Sequence, residues 1–233
     1  MLIEIEGKKI LFIHIPKTGG TTIENFFSNY MGLENCKWPK FYPELIWGPD
    51  NYYQYQHLTM NEIFTDLKLL NINELDFIFT IIRNPVQRFI SELNYTCQLH
   101  NKSTKYKSIF LNNLLSYNSL IHNFNSLPNS TEKWEILHKI IHLKKQIKYI
   151  ENYEQYVKVY KFEDGLENIL RDVFKLNNLN MKNKNVPKKM VSNKIFKTLV
   201  STEEKIVKEF YKEDYDFFYQ SPNYNQNFTK LTS

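Results

Sequence analysis

Six consecutive residues between an apolar run and an amphipathic segment have the composition of an anion-binding loop. They are Lys17, Thr18, Gly19, Gly20, Thr21 and Thr22. A loop that opens a helix can bind phosphate or sulfate, because the first N–H groups of the helix lack intrahelical partners and its dipole favours negative charge. Glycine lets the backbone approach a ligand closely, and lysine adds a positive charge. In a Walker A loop the lysine follows the second glycine, so the order here argues against an ATPase.

A second candidate site follows another apolar run. Arg83 comes directly after residues 77–82, and Ser91 lies on the helix predicted to begin at Pro85. The planar fork of Arg83 and the hydroxyl of Ser91 can bind one phosphate together. Arg88 on the same helix is expected to be ordinary surface charge. Together with the first loop, this site predicts a ligand that carries two separated anionic groups.

His57 is the candidate proton acceptor, since the pKa of histidine lies near neutrality. It precedes Thr59, which with Glu62 matches a capping box at the start of a helix. His14 is an alternative participant, although its position in a predicted strand also fits a hydrogen-bonded core residue. Glu62 is a more distant alternative, and its capping role already explains it. The other histidines have no distinguishing feature: His100, His122, His138 and His142.

Residues 175–202 contain seven lysines and no acidic residue. This segment can close over an anionic ligand or guide an acidic acceptor, and Lys188 and Lys189 are its best candidates for ligand binding. A solvated basic surface is the alternative interpretation.

Alternating strands and helices are predicted to position these residues. Nearly continuous apolar runs predict strands buried on both faces at 10–15 and 77–82, and a third strand is predicted at 157–162. Helices are predicted at 23–30, 59–70, 85–93, 106–117, 132–148, 164–174 and 203–211, with Asn84 and Asp164 as N-caps. This order predicts an α/β fold, a three-layer P-loop-like domain with a central parallel sheet flanked by helices. We expect a single domain over residues 1–233.

Composition limits the class of protein further. The net charge is +5, which fits an anionic ligand without requiring one. Cys36 and Cys97 are too few for a disulfide scaffold and have no metal-ligand spacing. The chain has no apolar leader at its start and no run long enough to cross a bilayer. We therefore expect a soluble, cytoplasmic protein.

The two candidate sites resemble motifs of one enzyme family. Residues 12–22, FIHIPKTGGTT, resemble the 5′-phosphosulfate loop of the family 2 sulfotransferases, which are related to heparan sulfate 2-O-sulfotransferase. Residues 83–91, RNPVQRFIS, resemble the 3′-phosphate motif of that family. Weaker similarities extend to Gln56–Thr59, a segment that often carries the catalytic base of the family, and to Tyr160–Asp164.

The resemblance implies a P-loop-like fold, the donor PAPS (3′-phosphoadenosine-5′-phosphosulfate, with PAP as the product) and no metal requirement. It assigns residues 17–22 to the 5′-phosphosulfate, with Lys17 stabilising the leaving phosphate, and Arg83 and Ser91 to the 3′-phosphate. His57 is then the general base. The acceptor hydroxyl is expected on a carbohydrate, because the aromatic-rich segment 36–56 can stack on sugar rings and the basic segment suits an anionic glycan. A small phenolic, lipid or tyrosyl acceptor is the alternative.

Two other functions remain open at this stage. A nucleotide-dependent kinase shares the strand–loop–helix mode of anion binding, and would prefer ATP with Mg²⁺ to PAP. A non-catalytic binder of glycans or nucleic acid would use the basic segment 175–202, although the sequence contains no nucleic-acid-binding motif.

Overall fold

The computed structural model describes residues 1–31, 55–99, 106–127, 131–181, 195–221, 228, 229 and 231. The chain divides into two compact units, each built from separate stretches of sequence. The first unit contains residues 1–83, 146–190 and 223–233, and the second contains residues 84–145 and 191–222. The single domain expected over 1–233 stays a prediction.

A four-stranded sheet forms the centre of the first unit. Its strands are β1 (Leu2–Ile5), β2 (Lys8–Ile13), β3 (Phe77–Ile82) and β4 (Val157–Lys161), in the order β1-β2-β3-β4. Strand β2 pairs parallel with β3, and β3 pairs parallel with β4. The predicted α/β class with a mostly parallel sheet is confirmed, and it agrees with a P-loop-like fold.

Strand β1 was not predicted. It pairs antiparallel with β2 through a tight turn in which Glu6 has φ 49° and Gly7 has φ 78°. Two consecutive residues with positive φ are typical of a two-residue hairpin turn, which favours glycine. The sheet is therefore parallel only from β2 onward.

Two helices pack on one face of this sheet. They are α1 (Gly20–Met31) and α6 (Leu166–Leu176). Their apolar residues join those of the strands in one buried cluster, including Phe12, Phe27, Phe79 and Phe174. Burying a side chain of this size stabilises the fold by about 1.5–3 kcal/mol. The cluster fixes the start of α1 against the end of β2, where the anion-binding loop was predicted.

Short elements complete the first unit, and two predictions about them are wrong. The capping box is present, with Thr59 N–H donating to Glu62 Oε2 at 2.6 Å. The helix that follows ends in a π-helical turn at Asp66 instead of near residue 70, and Lys68 takes φ 49°. Asp164 does not cap α6. It lies in a 3-10 turn and accepts from Lys161 N–H at 3.4 Å, because Gly165 intervenes as the N-cap.

The second unit is helical in its described residues. Its helices are α2 (Pro85–Leu99), α3 (Tyr106–Leu115), α4 (Tyr117–Ser126), α5 (Thr131–Leu143), α7 (Ser201–Phe210) and α8 (Lys212–Tyr215). The predicted cap of α2 is confirmed, since Asn84 Oδ1 accepts from Val86 N–H at 3.1 Å and from Gln87 N–H at 3.2 Å. Helix α4 was not predicted, and α5 ends at Leu143 instead of 148.

Arg88 is not surface charge, so that prediction is wrong. It is 1% exposed and donates to the carbonyl oxygens of His142 at 2.8 Å and Lys144 at 3.0 Å. Its guanidinium also lies 5.5 Å from the centre of the Tyr211 ring. These carbonyls belong to the last turn of α5 and the residues after it, where helical C=O groups lack intrahelical partners. Arg88 therefore caps α5.

Among the helices of the described residues, none is long and apolar enough to cross a membrane. The cytoplasmic localisation stays a prediction.

Candidate active site

The loop between β2 and α1 is held in shape by its own hydrogen bonds. Thr18 is fully buried, and its hydroxyl donates to the carbonyl oxygen of Ile15 at 2.8 Å. Thr22 N–H donates to the carbonyl oxygen of Gly19 at 3.0 Å, which starts α1. The Thr18 hydroxyl thus shapes the loop, and a contribution of Thr18 to anion binding would come from its backbone N–H. Thr22 is also buried, whereas Thr21 is exposed at the start of the helix.

Lys17 has an unusual backbone conformation. Its φ is 67°, in the left-handed region, and its side chain is half-buried. Such a conformation costs a non-glycine residue on the order of 1 kcal/mol or more, and it persists only where neighbouring structure holds it. The turn brings Lys17 to the start of α1, where the helix dipole favours an anion.

The two glycines of the loop are required by packing inside the first unit. Gly19 has φ 94°, and a Cβ there would lie 2.9 Å from Cε2 of Phe162. A Cβ on Gly20 would lie 2.0 Å from Cδ2 of the His14 ring. The sequence interpretation gave both glycines the task of admitting a ligand. Internal contacts alone already exclude a side chain at these two positions.

Arg83 lies against this loop. Its Nη1 donates to the carbonyl oxygen of Lys17 at 3.2 Å, and its guanidinium lies 4.6 Å from the centre of the Phe162 ring. Its backbone is fixed from both sides by the buried Gln146, which accepts from Arg83 N–H and donates to Arg83 C=O, each at 2.9 Å. Two cationic side chains, Lys17 and Arg83, are therefore brought to one loop.

His57 lies beside the same loop. It ends a 3-10 turn, Tyr55–His57, and is 6% exposed. Its Nδ1 lies 2.8 Å from the carbonyl oxygen of His14. A carbonyl oxygen only accepts, so Nδ1 carries the proton, and the neutral ring has its lone pair on Nε2. The ring of His57 meets that of His14 edge-on, with 4.5 Å between the centres.

His14 forms a hydrogen-bonded pair with Glu24 of α1. His14 Nδ1 lies 2.8 Å from Glu24 Oε1, and Gln56 Nε2 donates to Glu24 Oε2 at 2.9 Å. Burial alone would raise the pKa of Glu24, but the hydrogen bonds from His14 and Gln56 and the charge of His14 outweigh it and hold the pKa below its ordinary value. Glu24 thus remains a carboxylate that orients His14.

The predicted site residues fall into three groups. Residues 17–22, His57 and Arg83 come together in the first unit. Ser91 lies half-buried on α2 in the second unit, and its pairing with Arg83 stays a prediction. Lys188 and Lys189 lie outside the described residues.

Sequence reasoning missed Glu24, Gln56, Gln146 and Phe162. A faint signal existed for Glu24, which follows Ile23 at the start of an amphipathic helix yet lies away from the apolar stripe. Gln146 and Phe162 act on Arg83 from distant parts of the chain, and nothing in the sequence pattern joins them to it.

One comparison with known proteins gives a match. The family model described as "Sulfotransferase family" matches residues 3–220 of the chain. Neither the curated proteins nor the solved structures contain a match.

Proposed function

The chain belongs to the sulfotransferase family and is a PAPS-dependent transferase. We propose that it binds PAPS at the loop 17–22 and transfers the sulfuryl group there to a hydroxyl of an acceptor molecule. The observation that carries the proposal is that Arg83 bonds to the carbonyl of Lys17 and His57 to the carbonyl of His14, both in the short segment that leads from β2 into α1. A closer relation to heparan sulfate 2-O-sulfotransferase is part of this proposal and rests on the two motifs.

The hydrogen-bonding and cationic groups of the loop suit the anionic sulfuryl donor PAPS. The N–H groups of the first turn of α1, the exposed Thr21 hydroxyl and the half-buried Lys17 all belong to one helix start. Arg83, fixed by Gln146, adds a second cation at the carbonyl of Lys17. We assign residues 17–22 to the 5′-phosphosulfate, and Arg83 with Ser91 to the 3′-phosphate. Lys188 and Lys189 are assigned to the donor from the sequence alone.

The reaction we propose is an in-line displacement at sulfur. PAPS supplies the sulfuryl group and a phosphate leaving group. His57 Nε2 takes the proton of the acceptor hydroxyl while the acceptor oxygen bonds to sulfur and the bond from sulfur to the phosphate oxygen breaks. Lys17 stabilises the negative charge that develops on that phosphate oxygen, supported by N–H groups at the start of α1.

His57 is preferred to His14 as the base because of their different hydrogen bonds. His57 is oriented by a neutral carbonyl, which fixes the proton on Nδ1. His14 is paired with the Glu24 carboxylate, and its ring is packed over Gly20. We assign His14 a positioning role, since its backbone carbonyl orients His57 and its ring contacts the start of α1.

The acceptor we propose is a hydroxyl of an anionic carbohydrate. Support comes from composition, namely the net charge of +5 and the seven lysines without an acidic residue in 175–202. The segment 36–56, which was expected to stack on sugar rings, lies almost wholly outside the described residues.

Labelled PAPS and a panel of acceptors test the proposal. The panel contains an anionic glycosaminoglycan, a neutral oligosaccharide and a phenol, and PAP binding is measured in parallel by thermal shift. We expect PAP to raise the melting temperature and label to pass to the anionic glycan. Label on the phenol alone would refute the carbohydrate acceptor and leave the donor site in place.

Family membership decides against the kinase and the non-catalytic binder. The same assay checks this, because a kinase would be stabilised by ATP with Mg²⁺ in preference to PAP. The absence of a metal requirement remains an expectation.

A further inference from the structure

We infer that Glu92, His138 and His142 of the second unit form a binding site for a transition-metal ion such as Zn²⁺. Each residue offers one ligand atom, and these three atoms lie within 4.8 Å of one another. The inference is independent of the proposed function, because it uses other residues in the other unit. It also departs from the sequence interpretation, which found nothing to distinguish His138 and His142.

Helix geometry brings the two histidines together. His138 and His142 are four residues apart on α5, so their side chains lie on the same face of the helix. Their rings stack with 3.9 Å between centres and 24° between planes. Two histidines at this spacing on one helix are the zinc-binding pair of metalloprotease helices. The spacing was visible in the sequence, in residues 138–142, HKIIH.

Glu92 supplies the third ligand from α2. Its Oε2 lies 2.7 Å from His142 Nδ1, and its Oε1 accepts from the Thr96 hydroxyl at 3.0 Å. Glu92 is 1% exposed. A carboxylate buried to this degree is costly unless a positive charge or strong hydrogen bonds compensate it. A metal ion would provide such a charge, and it would replace the proton of the hydrogen bond between Glu92 and His142.

The distances suit a small ion. Ligand atoms bound to zinc at about 2.0–2.2 Å stand about 3.4 Å apart in a tetrahedron. Glu92 Oε2 and His142 Nδ1 lie 2.7 Å apart with a hydrogen bond between them, so they move apart slightly to admit the ion, and rotation of the half-buried His138 side chain completes the set. Metal binding releases the proton between Glu92 and His142, as expected for ligands that must be deprotonated. Three protein ligands leave a fourth position for water.

The ligand types select the metal class. Two imidazole nitrogens and one carboxylate oxygen suit Zn²⁺, Co²⁺, Ni²⁺ and Cu²⁺, whereas Mg²⁺ and Ca²⁺ prefer oxygen ligands. The ion would join α2 to α5 in the second unit. Such a link stabilises the folded state by mass action, because the unfolded chain does not hold the three ligands in place.

Metal titration of the tag-free, EDTA-treated full chain tests the inference. Zn²⁺ binding is measured by calorimetry, Co²⁺ binding by its visible absorption, and the melting temperature with and without Zn²⁺. We expect one Zn²⁺ per chain, a Co²⁺ spectrum typical of fewer than six ligands, and a higher melting temperature with Zn²⁺. Mg²⁺ should produce no such rise.

His138→Gln is the informative variant, because His138 is half-buried and its replacement is compatible with folding. We expect Zn²⁺ affinity at least about tenfold lower in this variant. His122→Gln removes an exposed histidine of α4 and should bind Zn²⁺ as the wild type does. Circular dichroism confirms that both variants are folded.

Two outcomes would overturn the inference. One is a wild-type chain that binds no Zn²⁺, which would leave Glu92 and His142 as a hydrogen-bonded pair. The other is a folded His138→Gln variant with unchanged Zn²⁺ affinity. PAP binding, measured on the same samples, reports separately on the proposed function.

Discussion

Each unit contains a glutamate close to the Nδ1 of a histidine, half-buried in the first unit and buried in the second, and a neighbouring histidine ring that is arranged differently in the two units. In the first unit, Glu24 holds His14 at 2.8 Å, and the His57 ring meets the His14 ring edge-on at 73°. In the second unit, Glu92 holds His142 at 2.7 Å, and the His138 ring stacks on the His142 ring at 24°.

The difference follows from the elements that carry the rings. His14 and His57 come from a loop after a strand and from a 3-10 turn, so their rings approach at a steep angle. His138 and His142 come from adjacent turns of one helix, which stacks their rings side by side on one face of that helix. We therefore propose different roles for the two similar glutamate–histidine pairs: Glu24 and His14 position the base His57, whereas Glu92 and His142 bind a metal ion.

The largest effect we expect comes from Lys17→Ala in the first unit. Loss of this charge removes stabilisation of the leaving phosphate, and the transfer rate should fall about 10³-fold or more. The rate of transfer from labelled PAPS measures it. Lys205→Ala, which removes an exposed lysine of α7, is the control and should keep the wild-type rate. A Lys17→Ala rate within tenfold of the wild type would contradict the proposed role.

Arg88→Met should have the largest effect on stability, and it acts in the second unit. It leaves the carbonyls of His142 and Lys144 without the donors that cap α5. We expect the free energy of unfolding to fall by about 3 kcal/mol, measured by denaturant titration.

Arg83→Met is the matched comparison for Arg88→Met, since both arginines belong to the same motif. Arg83 is half-buried beside the loop, so this variant should weaken PAP binding with a smaller loss of stability. Equal loss of stability in the two variants would remove the distinction between a ligand-binding arginine and a capping arginine.

His57→Ala tests whether the edge-on pair performs proton transfer. Without its base, the enzyme should show kcat lowered on the order of 10²-fold, while PAP binding stays the same. Steady-state kinetics and PAP calorimetry measure the two quantities. A parallel loss of PAP affinity would point to a structural role for His57 instead, and His122→Ala serves as the exposed-histidine control.

Glu24→Gln should have the smallest effect, and it appears as a change in pH dependence. The folded-state pKa of Glu24 lies below its ordinary value of 4.5. The carboxylate therefore contributes stability above about pH 4.5, and this contribution is lost as the pH falls through the lowered pKa. As the pH is lowered through this range, the free energy of unfolding should fall less steeply in Glu24→Gln than in the wild type.

Glu209→Gln, which removes an exposed carboxylate of α7, is the control for that titration. Identical pH profiles of the wild type and Glu24→Gln would show that the hydrogen bonds to Glu24 contribute nothing to stability.

The sequence predicted the parallel part of the sheet well, because its signals are local. Strand β3 has the predicted bounds 77–82, since an apolar run stands between Asp76 and the Asn84 cap. Strand β1 was missed although the Glu6–Gly7 pair marks a tight turn. The helix after Thr59 was predicted too long because the left-handed conformation of Lys68 leaves no mark in the apolar pattern.

The candidate site was predictable only where its residues are neighbours in the chain. Residues 17–22 form one motif, and their position between a strand and a helix identifies them. Glu24 owes its role to a contact with His14, which lies on another element. Glu92 owes its role to a contact with His142, which lies fifty positions later in the chain. Such pairings depend on how elements pack, which a periodicity argument does not contain.

The contact between His14 and Gly20 makes these two positions a single steric unit. The ring of His14 fills the space that a side chain at position 20 would need. An engineer who wants alanine at position 20 must shorten position 14 as well, and substitutions at the two positions should be strongly non-additive. The second glycine of such a loop can thus reflect the residue that follows the preceding strand. A motif search that interprets this glycine only as a mark of ligand approach mistakes an internal contact for a contact with ligand.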